Sequence, residues 1–126
     1  LQAARILKKK GIRATVVNAR FVKPLDVRMI REVLSETNYL VTVEENVLMG
    51  GFGSAVLEAL EQEKIYDVNV LRIGLPDHFI EQGSQEVLRR KYGLDPDGIA
   101  RRVEHLLHPK PLRIPVRPVH GEETNR

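Results

Sequence analysis

An α/β fold with a mostly parallel sheet is predicted by three observations. Short β-branched runs alternate along the chain with stretches of helical apolar period, the pattern of successive βαβ units. Tyr39 to Val43 is apolar apart from Thr42, as in strands covered on both faces. Leu40 to Ser54 passes from that strand through Glu44, Glu45 and Asn46 to a Gly50-Gly51-Phe52-Gly53 turn, and then into a helix. This is half of a βαβ unit, with polar groups at the carboxyl end of the strand, where open α/β sheets build their sites.

The elements follow in order. Residues 1–10 place Ala3, Ile6 and Leu7 on one helical face, and Gly11 supplies the stop. Ala14 to Val17 is a short β-branched run and predicts a strand. Asp26 caps a helix that buries Val27, Ile30, Val33 and Leu34. The next strand is Tyr39 to Val43. The helix after the glycine turn carries Val56, Leu57 and Leu60 on one side, with Glu58, Glu61 and Gln62 facing away. Val68 to Ile73 is the third strand, broken by Gly74-Leu75-Pro76-Asp77. Ser84 caps a helix through Val87 and Leu88 that stops at Gly93. Asp95-Pro96 then starts a last helix with Ile99, Val103, Leu106 and Leu107 on its apolar face. Residues 1–107 therefore form one domain. Residues 108–126, rich in proline and lacking apolar period, read as a disordered tail without its own core. Three strands make a narrow sheet for this many helices, so a further strand is expected before Leu1.

Composition excludes several function classes. The absence of cysteine removes disulfides, thiolate metal sites and a cysteine nucleophile. No run of about 18 apolar residues exists, so no membrane helix is expected. The net charge is +3, but 20 basic and 17 acidic residues are interspersed and only 5% are aromatic. That argues for a mixed-charge surface and against nucleic acid, which needs stacking platforms and basic stripes.

The chemistry-bearing candidates are few. Glu44 and Glu45 are adjacent in sequence at a strand end, so their side chains point in opposite directions. That is poor geometry for an acid–base dyad, and it suits one carboxylate capping while the other meets solvent or an interface. The glycine turn precedes a helix and so has amides for an anion. The dinucleotide fingerprint is incomplete, because Val56 stands where its third glycine belongs, and no Gly-Lys-Ser/Thr follows for a phosphate loop. The turn is either a tight strand-to-helix connection or the core of a small phosphate- or nucleotide-binding module. Ser54 is not in a Gly-x-Ser-x-Gly elbow. His105 and His108 are three residues apart with no third ligand signalled, so no metal site is expected. His78 follows Gly74-Leu75-Pro76-Asp77 in a loop after a strand, a place that often lines a cleft. The candidate interface or cleft residues are thus Glu44, Glu45, Asn46, Gly51, Phe52, Gly53 and His78.

Five segments occur in a familiar order. They are Asn18-Ala19-Arg20-Phe21-Val22-Lys23-Pro24-Leu25-Asp26, Val41-Thr42-Val43-Glu44-Glu45-Asn46, Gly50-Gly51-Phe52-Gly53-Ser54-Ala55-Val56-Leu57-Glu58, Leu71-Arg72-Ile73-Gly74-Leu75-Pro76-Asp77 and Gly83-Ser84-Gln85-Glu86. Over residues 1–107 the chain resembles the C-terminal domain of the 1-deoxy-D-xylulose-5-phosphate synthase family, within the transketolase-like enzymes. The Val-Glu-Glu and Gly-Gly-Phe-Gly pieces are shared with transketolases and the β subunits of 2-oxo acid dehydrogenases. The first and fourth segments narrow the resemblance to the synthase.

The resemblance implies a three-layer α/β/α domain that lacks one interior strand before Leu1. It implies a parent enzyme that condenses pyruvate with glyceraldehyde 3-phosphate, releases CO2 and feeds isoprenoid, thiamine and pyridoxal synthesis. Thiamine diphosphate and Mg²⁺ would be held by the preceding domains, which also supply the catalytic groups. This domain would pack against them and help form a homodimer, in the cytoplasm of a bacterium or in a plastid stroma. It implies no catalytic, cofactor-binding or metal residue in this chain, which alone would be inactive. An interaction domain of another thiamine diphosphate enzyme stays open beside this reading.

Overall fold

The computed structural model describes residues 1–19, 24–77 and 81–109. The described elements are five helices and two strands: α1 (Gln2–Lys9), α2 (Val27–Leu34), β1 (Tyr39–Val47), α3 (Phe52–Gln62), β2 (Asn69–Leu75), α4 (Gln85–Lys91) and α5 (Pro96–Leu107). β1 and β2 pair in parallel, in register from Tyr39↔Asn69 to Val43↔Ile73. The register then slips and resumes at Val47↔Leu75. Four steps along β1 match two along β2, so Glu44, Glu45 and Asn46 occupy an irregular bulge.

Local sequence explains where the helices begin and end. Asp26 Oδ1 accepts from the Met29 N–H at 3.0 Å and opens α2, and Ser84 caps α4 through the Val87 N–H. Three helices end alike. The Gly11 N–H donates to the Lys8 carbonyl and the Ile12 N–H to that of Leu7. Lys64 with Ile65, and Gly93 with Leu94, repeat this double bond at the ends of α3 and α4. The pattern needs a left-handed residue at its centre, and Gly11 and Gly93 provide it at φ 81° and 68°. After α3 the same place is held by Lys64, a non-glycine residue at φ 56°.

Parity along the strands sorts the layers. Leu40 and Val70 pack against a cluster of Ile30 from α2 and Val56 and Leu60 from α3, joined by Leu25, Met29, Leu34, Phe52 and Ile65. Leu71, one residue on, points to the other face, where α5 packs on β2 and α1 on α5. Ile73, Leu94 and Ala100 are buried. Helices thus cover both sides of the sheet.

Several expectations are corrected. Residues 14–17 form no strand: the segment is irregular, and Val16 and Val17 are exposed. A β-branched run becomes a strand only where a neighbour offers a ladder, and none of the described strands lies alongside it. The described sheet has two strands rather than three. β1 runs on to Val47, so Glu44 to Asn46 lie within it instead of following it. Leu57 is exposed on α3, because the helix packs through the narrower stripe of Val56 and Leu60. Asp95 stands at the cap position of α5, but its side chain makes no capping bond. His78, residues 20–23 of the first familiar segment and most of the proline-rich tail (110–126) lie outside the described residues.

Candidate functional site

Strand alternation puts Glu44 on the same face as Leu40 and Thr42, toward α3. Glu44 is 7% exposed, and its carboxylate lies beneath the first turn of α3. Oε1 accepts from the Phe52 N–H at 3.0 Å and Oε2 from the Gly53 N–H at 2.7 Å. These are orphan donors of a helix start, and a carboxylate there also meets the positive end of the helix dipole. Gly51 itself, the cap residue, contributes no side-chain bond. A strand residue several positions upstream does the capping.

The glycines are explained by this contact. Gly51 has an ordinary φ of −84°, so its need is for space. A Cβ there would overlap Glu44 Oε1 and stand 2.7 Å from the Val47 carbonyl oxygen. A Cβ on Gly53 would stand 2.8 Å from both Thr42 Oγ1 and Arg72 Cδ. On β2, a Cβ on Gly74 would meet Leu48 Cδ2 at 2.8 Å and Glu44 Cγ at 3.0 Å. Gly51 and Gly74 are thus bare beside the buried acid, and Gly53 is bare against Thr42 and Arg72. Gly50 alone in the turn needs a left-handed backbone, at φ 69°.

A second polar group borders the turn. Arg72 points to the α3 side of β2. Its Nη1 donates to Ser54 Oγ at 2.9 Å and to the Leu48 carbonyl at 3.3 Å. Ser54 Oγ donates to the same carbonyl at 2.9 Å. The 48–51 loop is thereby tied to α3 and β2. Thr42 is buried next to this group, and its Oγ1 has no hydrogen-bond partner among the described residues. Sequence reasoning passed over Arg72 and Thr42. The signal was present: each is a polar residue inside an otherwise apolar strand.

The predicted residues divide. Glu44, Gly51, Phe52 and Gly53 converge on the cap, with Phe52 also packed on the core. Glu45 points outward and pairs with Arg89 of α4 at 2.6 Å, both largely exposed. Asn46 is exposed, and its carbonyl lies beside Gly74.

This geometry limits what the turn can bind. The Phe52 and Gly53 amides that would have served an anion already hold Glu44, so a phosphate would have to displace a buried carboxylate. The phosphate-module reading of the turn is thus at odds with the structure. Among the described residues no group of three His, Cys, Asp or Glu side chains could hold a metal. The turn therefore does not fit the diphosphate of thiamine diphosphate, because the amide donors it would need are taken.

Comparison with known proteins agrees with the fold. The family model described as transketolase, C-terminal domain, matches residues 1–99. The chain is 54% identical over 115 residues to 1-deoxy-D-xylulose-5-phosphate synthase 1 of Geobacter sulfurreducens, covering 91% of this chain and 18% of that protein. It is 50% identical over 116 residues to 1-deoxy-D-xylulose-5-phosphate synthase of Heliobacterium modesticaldum, covering 92% of this chain and 18% of that one. A solved structure described as "Split gene transketolase, inactive beta4 tetramer" superposes with a TM-score of 0.75 at 36% identity, over 84% of this chain and 34% of its own. The chain thus spans under a fifth of the length of these curated relatives.

Proposed function

The chain belongs to the transketolase C-terminal domain family, and on that premise we propose that it serves as the C-terminal domain of a 1-deoxy-D-xylulose-5-phosphate synthase. In this reading the whole enzyme condenses pyruvate with glyceraldehyde 3-phosphate and releases CO2, using thiamine diphosphate and Mg²⁺ bound outside this domain. This domain packs against the catalytic domains and a second subunit and carries no reacting group. The observation that carries the non-catalytic role is the internal use of Glu44. Both of its oxygens accept from the α3 amides and the side chain is 7% exposed, which supports a capping role over a reacting one. The synthase assignment is supported by identities of 50–56% to such enzymes across most of the chain.

The test is replacement. The matching segment of the Geobacter sulfurreducens enzyme is exchanged for this chain, and pyruvate-dependent product formation and oligomeric mass are measured. Activity near the parent's with an unchanged mass is expected. A folded, dimeric chimera without activity would overturn the purely structural role. A folded chimera that does not dimerise would overturn the assembly role.

A further inference from the structure

On the face of the molecule away from the glycine turn, α5 overhangs an open concavity of about 390 Å³ lined by Leu71, Gly93, Gly98, Arg101, Arg102 and His105. Arg101 and His105 are four residues apart on the helix and Arg102 and His105 three, so all three project from one side. Gly98 approaches Gly93 so closely that a Cβ on it would stand 2.7 Å from Gly93 Cα. Neither glycine puts a side chain into the wall, and half-buried Leu71 of β2 forms an apolar patch within it.

The charge here is uncompensated. Among the described residues the side chains of Arg101, Arg102 and His105 take part in no ion pair or hydrogen bond. Glu104, the acid next to His105 on the helix, is committed to Lys10 at 2.5 Å. Asp97, four residues before Arg101, is exposed and pairs with neither arginine, and Asp95 Oδ1 is buried without a partner. Arginine forks match phosphate oxygens in pairs, and an imidazole adds a third donor. We propose that this concavity binds a small phosphate ester, its phosphate held by Arg101, Arg102 and His105 and its short carbon skeleton against Leu71. The proposal is independent of the synthase reading, and the site is separate from the turn that Glu44 fills.

The probes are inorganic phosphate and propyl phosphate, titrated into the full 126-residue chain and followed by NMR. Saturable shifts confined to the amides of 93–105 and the Leu71 methyls are expected, with propyl phosphate the tighter of the two. R101Q/R102Q should weaken binding about tenfold, and K8Q/K9Q on neighbouring α1 should leave it unchanged. If the double arginine variant fails to fold, R101Q alone at an exposed position should still weaken binding about threefold. Absence of saturable shifts overturns the site. So do equal losses in the lysine and arginine variants, which would reduce the effect to diffuse surface charge, and a preference for inorganic phosphate, which would remove the role of Leu71.

Discussion

Replacing Glu44 with glutamine tests whether the buried acid is a cap or merely fills space. The two side chains have nearly the same shape, so a packing role predicts almost no effect. The structure predicts otherwise. Glu44 receives one N–H on each oxygen, from Phe52 and Gly53. Glutamine keeps one acceptor and turns an NH2 toward the other donor. One buried N–H is then unsatisfied, at about 1–3 kcal/mol. The negative charge at the start of α3 is also lost, at about 0.5–1 kcal/mol. Together E44Q should destabilise the fold by about 2–4 kcal/mol, a large share of a small domain's stability. E44A orphans both donors and leaves a void, so it should cost more. Urea unfolding followed by circular dichroism gives the difference from midpoint and slope. Faster hydrogen exchange at the Phe52 and Gly53 amides should accompany it. An E44Q protein within about 0.5 kcal/mol of the parent, a change typical of plain surface sites, would refute the capping argument.

Other outcomes follow from neighbouring contacts. G51A pushes a methyl into Glu44, so it should destabilise the fold by about 2–3 kcal/mol. Combined with E44A it should cost well under the sum of the two, as a double-mutant cycle would show. K64G should stabilise the protein by about 1 kcal/mol, because Lys64 sits at φ 56° at the end of α3; thermal unfolding reads the sign directly. R72M keeps the aliphatic stem but loses the bonds to Ser54 and Leu48, so it should cost about 1–2 kcal/mol in urea unfolding. Lys91 titrates above its ordinary value, first because Nζ donates to Glu81 and then because of that carboxylate's charge. The pair therefore stabilises the fold while lysine is protonated in both states, and the gain is lost as pH climbs through the raised folded value. E81Q should return Lys91 toward the ordinary value in an NMR titration.

What was legible in the sequence tracks how local the cause is. Asp26, Ser84, Gly11 and Gly93 mark helix ends through bonds spanning a few residues, and they do so where expected. No residue type marks the end of α3, because Lys64 adopts a left-handed backbone that its side chain does not advertise. Ala14 to Val17 has strand composition, yet it is irregular, since a strand depends on a partner that composition does not supply. The bulge is similar: β1 continues through Glu44 and Glu45 because Val47 recovers a pairing with Leu75, a fact held by β2. Asp95 shows the reverse case, a well-placed cap residue whose Oδ1 finds no bond. Arg72 was visible as a charge in an apolar strand, but its partners Ser54 and Leu48 lie 18 and 24 residues away.

The glycine turn illustrates why an anion-site signature is ambiguous. Strand, glycines and helix start do build a cradle of free amides, as the physics of helix termini requires. The requirement is only that some acceptor fill it, and the sequence does not say whether that acceptor is a ligand or the chain itself. Here Glu44 fills it from within, and Gly51 and Gly74 are bare because the acid needs their volume. The glycines that suggested a ligand are thus explained by a side chain. A cradle for a ligand differs in a way that can be checked: it lacks an inward-pointing acid on the preceding strand at the distance that reaches the amides. Uncompensated donors do line an opening elsewhere: Arg101, Arg102 and His105 of α5 border one, and among the described residues they engage no carboxylate.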